Sequence, residues 1–228
     1  MIGAEGRVAL YYAPAEDDPL WSRANAWLGR DPASGAAVEQ PAVPGLARIT
    51  SDAASYGFHA TLRPPMRLRD GVSYAAFLDT TRDVAAGIPP FALPPLVVTD
   101  LFGFLALTET EPSTALQACA DACIAGVDHL RAPPDEAELA RRRRIGLAAA
   151  EDANLRRWGY PYVFATWFFH MTLTCKLTEA EHSQFRPEAE AWFEDVLEEP
   201  RRIRDVAVFV QHATGEAFDL VERVKLGG

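Results

Sequence analysis

Residues 58–62 read Phe58-His59-Ala60-Thr61-Leu62, and residues 169–173 read Phe169-His170-Met171-Thr172-Leu173. The same His-x-Thr-Leu core thus occurs twice, each time behind a phenylalanine. In an extended strand alternate side chains share a face, so His59 with Thr61 and His170 with Thr172 each form a polar pair. Phe58, Ala60 and Leu62, and likewise Phe169, Met171 and Leu173, then turn the other way, into a core. Two such strands side by side offer two imidazoles and two hydroxyls to one small cavity, a set suited to a phosphate ester.

Outward from these motifs, the first strand is expected from Arg7 to Ala13. A helix follows from Pro19, with Asp18 as its cap and Leu20, Ala24, Trp27 and Leu28 as its inner face. The Pro/Gly-rich stretch from Arg30 to Thr50 reads as a long loop, either a lid or a passive rim. The first motif strand is expected from Gly57 to Leu68, disturbed at Pro64-Pro65, and a helix begins at Ser73. Strands are expected over Phe91–Val98 and Gly103–Thr108, and a helix from Pro112 to His129. The second motif strand spans Trp167–Lys176, and Thr178-Glu179-Ala180-Glu181 opens a helix as a capping box. Ile203–Gln211 and Phe218–Leu226 complete the set as strands joined by a turn at Thr214-Gly215.

Each half therefore reads strand, helix, motif strand, helix, strand, an internal duplication with a pseudo-twofold relation. The expected fold is α+β: one bilobed domain over residues 1–228, its lobes built from about 1–100 and 101–228 with strands open to exchange. Two antiparallel-rich sheets would flank a central cleft, with helices outside. Leu130 to Phe164 has no counterpart in the first half. There Asp135-Glu136-Ala137-Glu138 starts one short helix and Gly146 separates it from a second, making a helical hairpin insertion.

Net charge is −10, yet Arg131 to Arg157 holds seven arginines (131, 141, 142, 143, 144, 156, 157) against five acids (135, 136, 138, 151, 152). An acidic surface disfavours long nucleic acids, whose binding rests on phosphate neutralisation, while a locally basic cleft still suits a small phosphorylated metabolite. No apolar run is long enough to span a bilayer, and Met1 to Pro14 lacks the pattern of a signal peptide, so a cytoplasmic location without membrane association is expected. Cys119, Cys123 and Cys175 show no C-x-x-C spacing, which speaks against both a disulfide framework and a zinc site.

The two motif strands, set in similar halves, resemble the 2H phosphoesterase superfamily. Tyr11-Tyr12-Ala13-Pro14, Trp27-Leu28-Gly29-Arg30-Asp31, Tyr56-Gly57-Phe58-His59-Ala60-Thr61-Leu62, Leu93-Pro94-Pro95-Leu96, Gly103-Phe104-Leu105-Ala106-Leu107, Trp158-Gly159-Tyr160-Pro161-Tyr162 and Phe169-His170-Met171-Thr172-Leu173-Thr174 together look like its DUF1045 branch. That branch is often encoded beside phosphonate-degradation genes. The resemblance implies cofactor-free, metal-independent cleavage of a small phosphodiester or cyclic phosphate by paired histidines.

An imidazole can give or take a proton near neutrality, and diester cleavage needs both acts. His59 and His170 are accordingly the expected catalytic pair, with base and acid interchangeable, and Thr61 and Thr172 the expected phosphate contacts. Tyr12, Tyr56, Arg131, Arg141 and Tyr160 are further candidate contacts, with Tyr162 an alternative to Tyr160 at the mouth; core packing or a solvated surface is the competing reading for each. His129, His182 and His212 share no motif. Two other functions fit the same residues: a non-catalytic sensor of a phosphorylated metabolite, and processing of RNA 2′,3′-cyclic phosphates. A zinc or manganese hydrolase would need further ligands, and no H-x-H or H-E-x-x-H run supplies them. Oligomeric state is not readable from the sequence.

Overall fold

A computed structural model describes residues 6–144 and 146–227; the first five residues of the Met1–Pro14 stretch lie outside them. Among the described residues the chain order is β1 (Arg7–Tyr12), α1 (Pro19–Leu28), α2 (Leu46–Tyr56), β2 (Ala60–Met66), α3 (Tyr74–Ala86), β3 (Phe91–Leu93), β4 (Leu96–Leu101) and β5 (Phe104–Glu109). It continues with α4 (Thr114–Val127), α5 (Glu136–Arg143), α6 (Ala149–Trp158), β6 (Met171–Thr172), α7 (Glu179–Leu197), β7 (Arg201–Ile203), β8 (Asp205–Gln211) and β9 (Asp219–Lys225).

Local chemistry sets most helix starts. The side chains of Asp18, Ser73, Ser113, Asp135 and Thr178 each accept a hydrogen bond from a backbone N–H of the first turn that follows, satisfying a donor that the helix itself leaves free. Asp18 does a second job: it binds the guanidinium of Arg201 at 2.8 and 3.0 Å, which fastens the start of α1 to β7.

Seven strands form one antiparallel sheet in the order β4-β5-β6-β2-β1-β8-β9, and β3 pairs with β7 in a separate two-stranded sheet. Three strands lie on the β6 side of the β6–β2 seam and four on the β2 side. Each motif strand pairs with the first strand of its own half, β2 with β1 and β6 with β5. Each first strand pairs on its other side with a strand from late in the opposite half, β1 with β8 and β5 with β4. The strand groups expected on either side of a cleft are thus joined edge to edge, through the single antiparallel pair Ala60↔Met171.

The sheet's two faces differ. Phe58, Ala60, Leu62, Phe169, Met171 and Leu173 are all at 2% exposure or less and pack with α1, α2, α3, α4 and α7 into the main core. Each fully buried Phe or Leu contributes about 1.5–3 kcal/mol by leaving water. On the opposite face Ala9, Tyr11, Ala207 and Phe209 form a smaller cluster with Ala13, Trp21 and Phe218.

The structure corrects three expectations. The 30–50 stretch is not all loop, because α2 begins at Leu46; Gly45 precedes it with no side-chain cap, so the usual start signal is missing. Phe91–Val98 is two strands in different sheets, divided at Pro94-Pro95, where the missing amide donors interrupt pairing. The second motif strand is regular only at Met171–Thr172, since the Leu173 and Thr174 amides both donate to the Leu105 carbonyl and break the ladder. At Pro64-Pro65 the expected disturbance is present: the β1–β2 register shifts, with Val8 opposite Met66 and Leu10 opposite Arg63.

The insertion forms the hairpin of α5 and α6. It is tied down at Asp128, whose carboxylate meets Arg131 at 2.8 Å, Arg157 at 2.9 Å and the buried Arg63 at 3.4 Å. Arg63 also donates to the Trp158 carbonyl at the end of α6, at 3.2 Å. Burial works against the Asp128 carboxylate, but the arginines, Arg131 first, hold its pKa below the usual range.

Candidate active site

Continuing the Ala60↔Met171 register by one residue in each direction sets His59 across from Thr172 and Thr61 across from His170. The four polar side chains line one patch, each histidine opposite the threonine of the other motif in register. A cavity of about 280 Å³ opens over them, lined also by Arg7, Tyr11, Asp52, Tyr56, Arg142, Tyr160 and Thr174.

Both imidazoles are held in the same way. Nδ1 of His59 lies 2.8 Å from the Gly57 carbonyl, and Nδ1 of His170 lies 3.3 Å from the Phe168 carbonyl, in each case two residues back. A carbonyl only accepts, so Nδ1 carries the hydrogen and Nε2 of each ring keeps its lone pair. Nε2 of His59 is 3.3 Å from the Thr61 hydroxyl. Ring stacking completes the seat: Tyr11 lies flat against His59 with centroids 3.7 Å apart, and Phe168 against His170 at 4.9 Å.

Each ring keeps some solvent contact through the cavity mouth, while burial on the other sides disfavours the cation. His59 is lowered to about 4, by desolvation first and then by repulsion from His170, against a raising contribution from the Gly57 carbonyl. His170 is lowered by desolvation as well. Both shifts favour the neutral imidazole.

The cations beside the pair are Arg7 and Arg142. Arg7 donates to Gln211 at 2.7 Å and lies over Phe218; Arg142 lies over the Tyr160 ring and contacts Glu138 at 3.3 Å. Nε of Arg142 is buried with no hydrogen-bond partner among the described residues. Asp52 is the single carboxylate among the lining residues.

The structure brings His59, Thr61, His170, Thr172, Tyr56 and Tyr160 to this cavity and leaves Tyr12, Arg131, Arg141 and Tyr162 outside it. Tyr12 is 4% exposed in the main core, packed on Phe169. Its neighbour Tyr11 pairs with Thr61 in register and so shares the histidine face, as alternation requires. Arg131 is committed to Asp128, and Arg141 gives way at this cavity to Arg142. Arg7, Tyr11, Asp52, Arg142 and Thr174 went unforeseen. The parity of residues 7, 9 and 11 along β1 and of 170, 172 and 174 was the available signal for Arg7, Tyr11 and Thr174; nothing in the sequence marks Asp52 or chooses among residues 141–144. His129, His182 and His212 do not line the cavity, and among the described residues no group of three or more His, Cys, Asp or Glu side chains is gathered as a metal site.

The fold and site define an α+β protein whose two halves each contribute one His-x-Thr strand to a shared cavity. The family described as "Protein of unknown function (DUF1045)" matches residues 61–219, and the chain belongs to that family. It is similar to two proteins named ribose 1,5-bisphosphate phosphokinase PhnN. The one from Janthinobacterium sp. (strain Marseille) is 43% identical over 180 residues, covering 77% of this chain and 40% of the relative. The one from Laribacter hongkongensis (strain HLHK9) is 38% identical over 224 residues, covering 96% and 52%. The chain therefore spans about half the length of these curated relatives, or less. Among solved structures it is similar to E. coli LigT complexed with NADP+ (TM-score 0.44, 13% identity, 99% of this chain and 100% of that one) and to a phosphoesterase (TM-score 0.42, 13% identity, 98% and 99%).

Proposed function

We propose that this protein is a metal-independent phosphoesterase of the 2H type, cleaving a small phosphodiester or cyclic phosphate by paired-histidine acid and base catalysis. The observation that carries this reading is the register that sets His59 opposite Thr172 and His170 opposite Thr61, with Nδ1 of each ring tied to a backbone carbonyl so that Nε2 keeps its lone pair toward the cavity. A phosphate centred on the patch accepts from both threonine hydroxyls. One Nε2 takes the proton from an attacking water as its oxygen bonds to phosphorus; the other, protonated, returns a proton to the alkoxide as the P–O bond breaks. The buried site loads its own acid, because an incoming diester anion favours the imidazolium that burial otherwise disfavours. Arg142, with its unpartnered Nε, and Arg7 offset charge on the non-bridging oxygens.

The resemblance to a branch encoded beside phosphonate-degradation genes supports a place in that metabolism, and the relatives' name is compatible with a phosphorylated small molecule. The phosphokinase in that name belongs to longer proteins, and this sequence contains no Gly-x-x-x-x-Gly-Lys-Ser/Thr run to cradle a nucleoside triphosphate.

The test is a screen in EDTA of small cyclic phosphates and diesters with wild type, His59→Ala and His170→Ala. Turnover that falls by about 10²–10⁴-fold in both variants is expected, the usual worth of a positioned acid or base. Turnover abolished by EDTA, or retained in both variants, overturns the reading. Binding of a phosphate ester with no turnover of any diester favours a sensor.

A further inference from the structure

A second cavity of about 490 Å³ adjoins the histidine cavity and shares two lining residues with it, Arg7 and Pro65. Its wall carries Arg7, Arg67, Arg131, Arg141 and Arg144. Among the described lining residues the carboxylates are Asp135 and Glu138, and each already has partners. Asp135 caps α5 and lies 3.6 Å from Arg67, while Glu138 contacts Arg142. Arg131 is held by Asp128. Arg141 and Arg144 have neither a hydrogen bond nor an ion pair from their side chains among the described residues, and Arg7 is paired only with a neutral amide and a ring.

With Arg131 paired to Asp128 and Arg67 to Asp135, Arg7, Arg141 and Arg144 remain without a carboxylate among the described residues, a local excess of positive charge in a protein of net charge −10. Surface arginines on an acidic protein ordinarily find carboxylates, as Arg143 finds Asp152 and Arg156 finds the same residue. Those at 141 and 144 stand one turn apart and line the same wall. Arg142, between them, lines the histidine cavity instead, so one turn of α5 serves both spaces. Guanidinium groups in this number suit a doubly charged phosphomonoester, which accepts paired N–H donors.

We infer that the arginine-lined groove is a second anion subsite, and that the substrate is a small bisphosphorylated metabolite whose scissile diester sits on the two His-x-Thr pairs while a phosphomonoester at its other end is held by Arg141, Arg144 and Arg7. The inference rests on the proposed function for the role of the first cavity. It adds the substrate class: a singly phosphorylated diester leaves the groove empty and binds less tightly.

Calorimetric titration with fructose 6-phosphate and fructose 1,6-bisphosphate tests it, independently of turnover. The bisphosphate is expected to bind wild type at least about tenfold more tightly, since a charge-assisted hydrogen bond is worth about 1.5–3 kcal/mol. In Arg141→Ala/Arg144→Ala that advantage disappears, and in Arg82→Ala/Arg186→Ala, which removes equal charge elsewhere, the advantage persists. Equal affinities for the two sugars in wild type, binding of neither, or an advantage that survives the Arg141/Arg144 double variant overturns the subsite. If the advantage behaves as expected but no diester is turned over in EDTA, the second anion subsite stands and the esterase reading falls; turnover without the advantage gives the opposite result.

Discussion

The imidazole of His59 is packed between Tyr11 and its own turn, and burial keeps its pKa at about 4. In the unfolded chain that pKa returns to about 6.5. Between those values the unfolded state binds more protons, so stability rises with pH: the contribution is fully present above about 6.5 and is lost as pH falls toward 4. Urea melts at pH 7 and pH 5 should show wild type losing more stability than His59→Gln, whose amide does not titrate; equal losses would mean His59 is not the group responsible. Since both imidazoles are depressed in the free protein, the kcat/KM optimum is expected below pH 6.5, whereas a profile centred above pH 7 would contradict the depressed values. Tyr11 and Tyr12 show how a single residue of register decides a role: one stacks on a histidine, and its neighbour lies in the core.

The turn between α2 and β2 positions the first histidine, and it depends on glycine. Gly57 sits at φ 76° with its carbonyl on His59 Nδ1, and a Cβ there would stand 2.8 Å from the Cβ of Pro32. Gly57→Ala should cost about 1–3 kcal/mol in strain, before the clash is counted, and also lower kcat by moving the imidazole. Gly103 has φ 91° and no atom within 4 Å of such a Cβ, so Gly103→Ala should lose stability alone. Activity assays beside thermal melts separate the two; equal kcat losses would show that the Gly57 carbonyl has no positioning role. At the insertion, Asp128→Ala strands the buried Arg63 and should destabilise by about 3–5 kcal/mol. Faster amide exchange in α6 than in α3 should accompany it, because the hairpin is fastened through the same carboxylate.

At the scale of the molecule, the proposed function rests on opposing a local field to the global charge. Screening lengths shorten from about 10 Å at 0.1 M salt to about 3 Å at 1 M, so KM for an anionic substrate should rise with salt despite the net charge of −10, with kcat nearly unchanged. The slope should flatten in Arg141→Ala/Arg144→Ala. A KM that falls with salt would mean that repulsion by the acidic surface dominates.

The repeated Phe-His-x-Thr-Leu segments carried in themselves the division into core face and polar face, because strand alternation is a property of the backbone and needs no partner. Helix starts at Asp18, Ser73, Asp135 and Thr178 were legible for the same reason, since a cap is satisfied within its own turn. Helix α2 was obscured by the absence of such a cap, although Leu46, Ile49, Thr50 and Ala53 hold a helical spacing and are buried. Only the tertiary structure brought β2 against β6, exchanged late strands between the halves, and decided that Tyr11 rather than Tyr12, and Arg142 rather than Arg141, would face the histidines. Those choices depend on which surfaces pair across more than 100 residues of chain, as at Ala60 and Met171, and on how a helical hairpin is fastened to Arg63 on the interior strand β2; neither is encoded by the spacing of residues along any one segment.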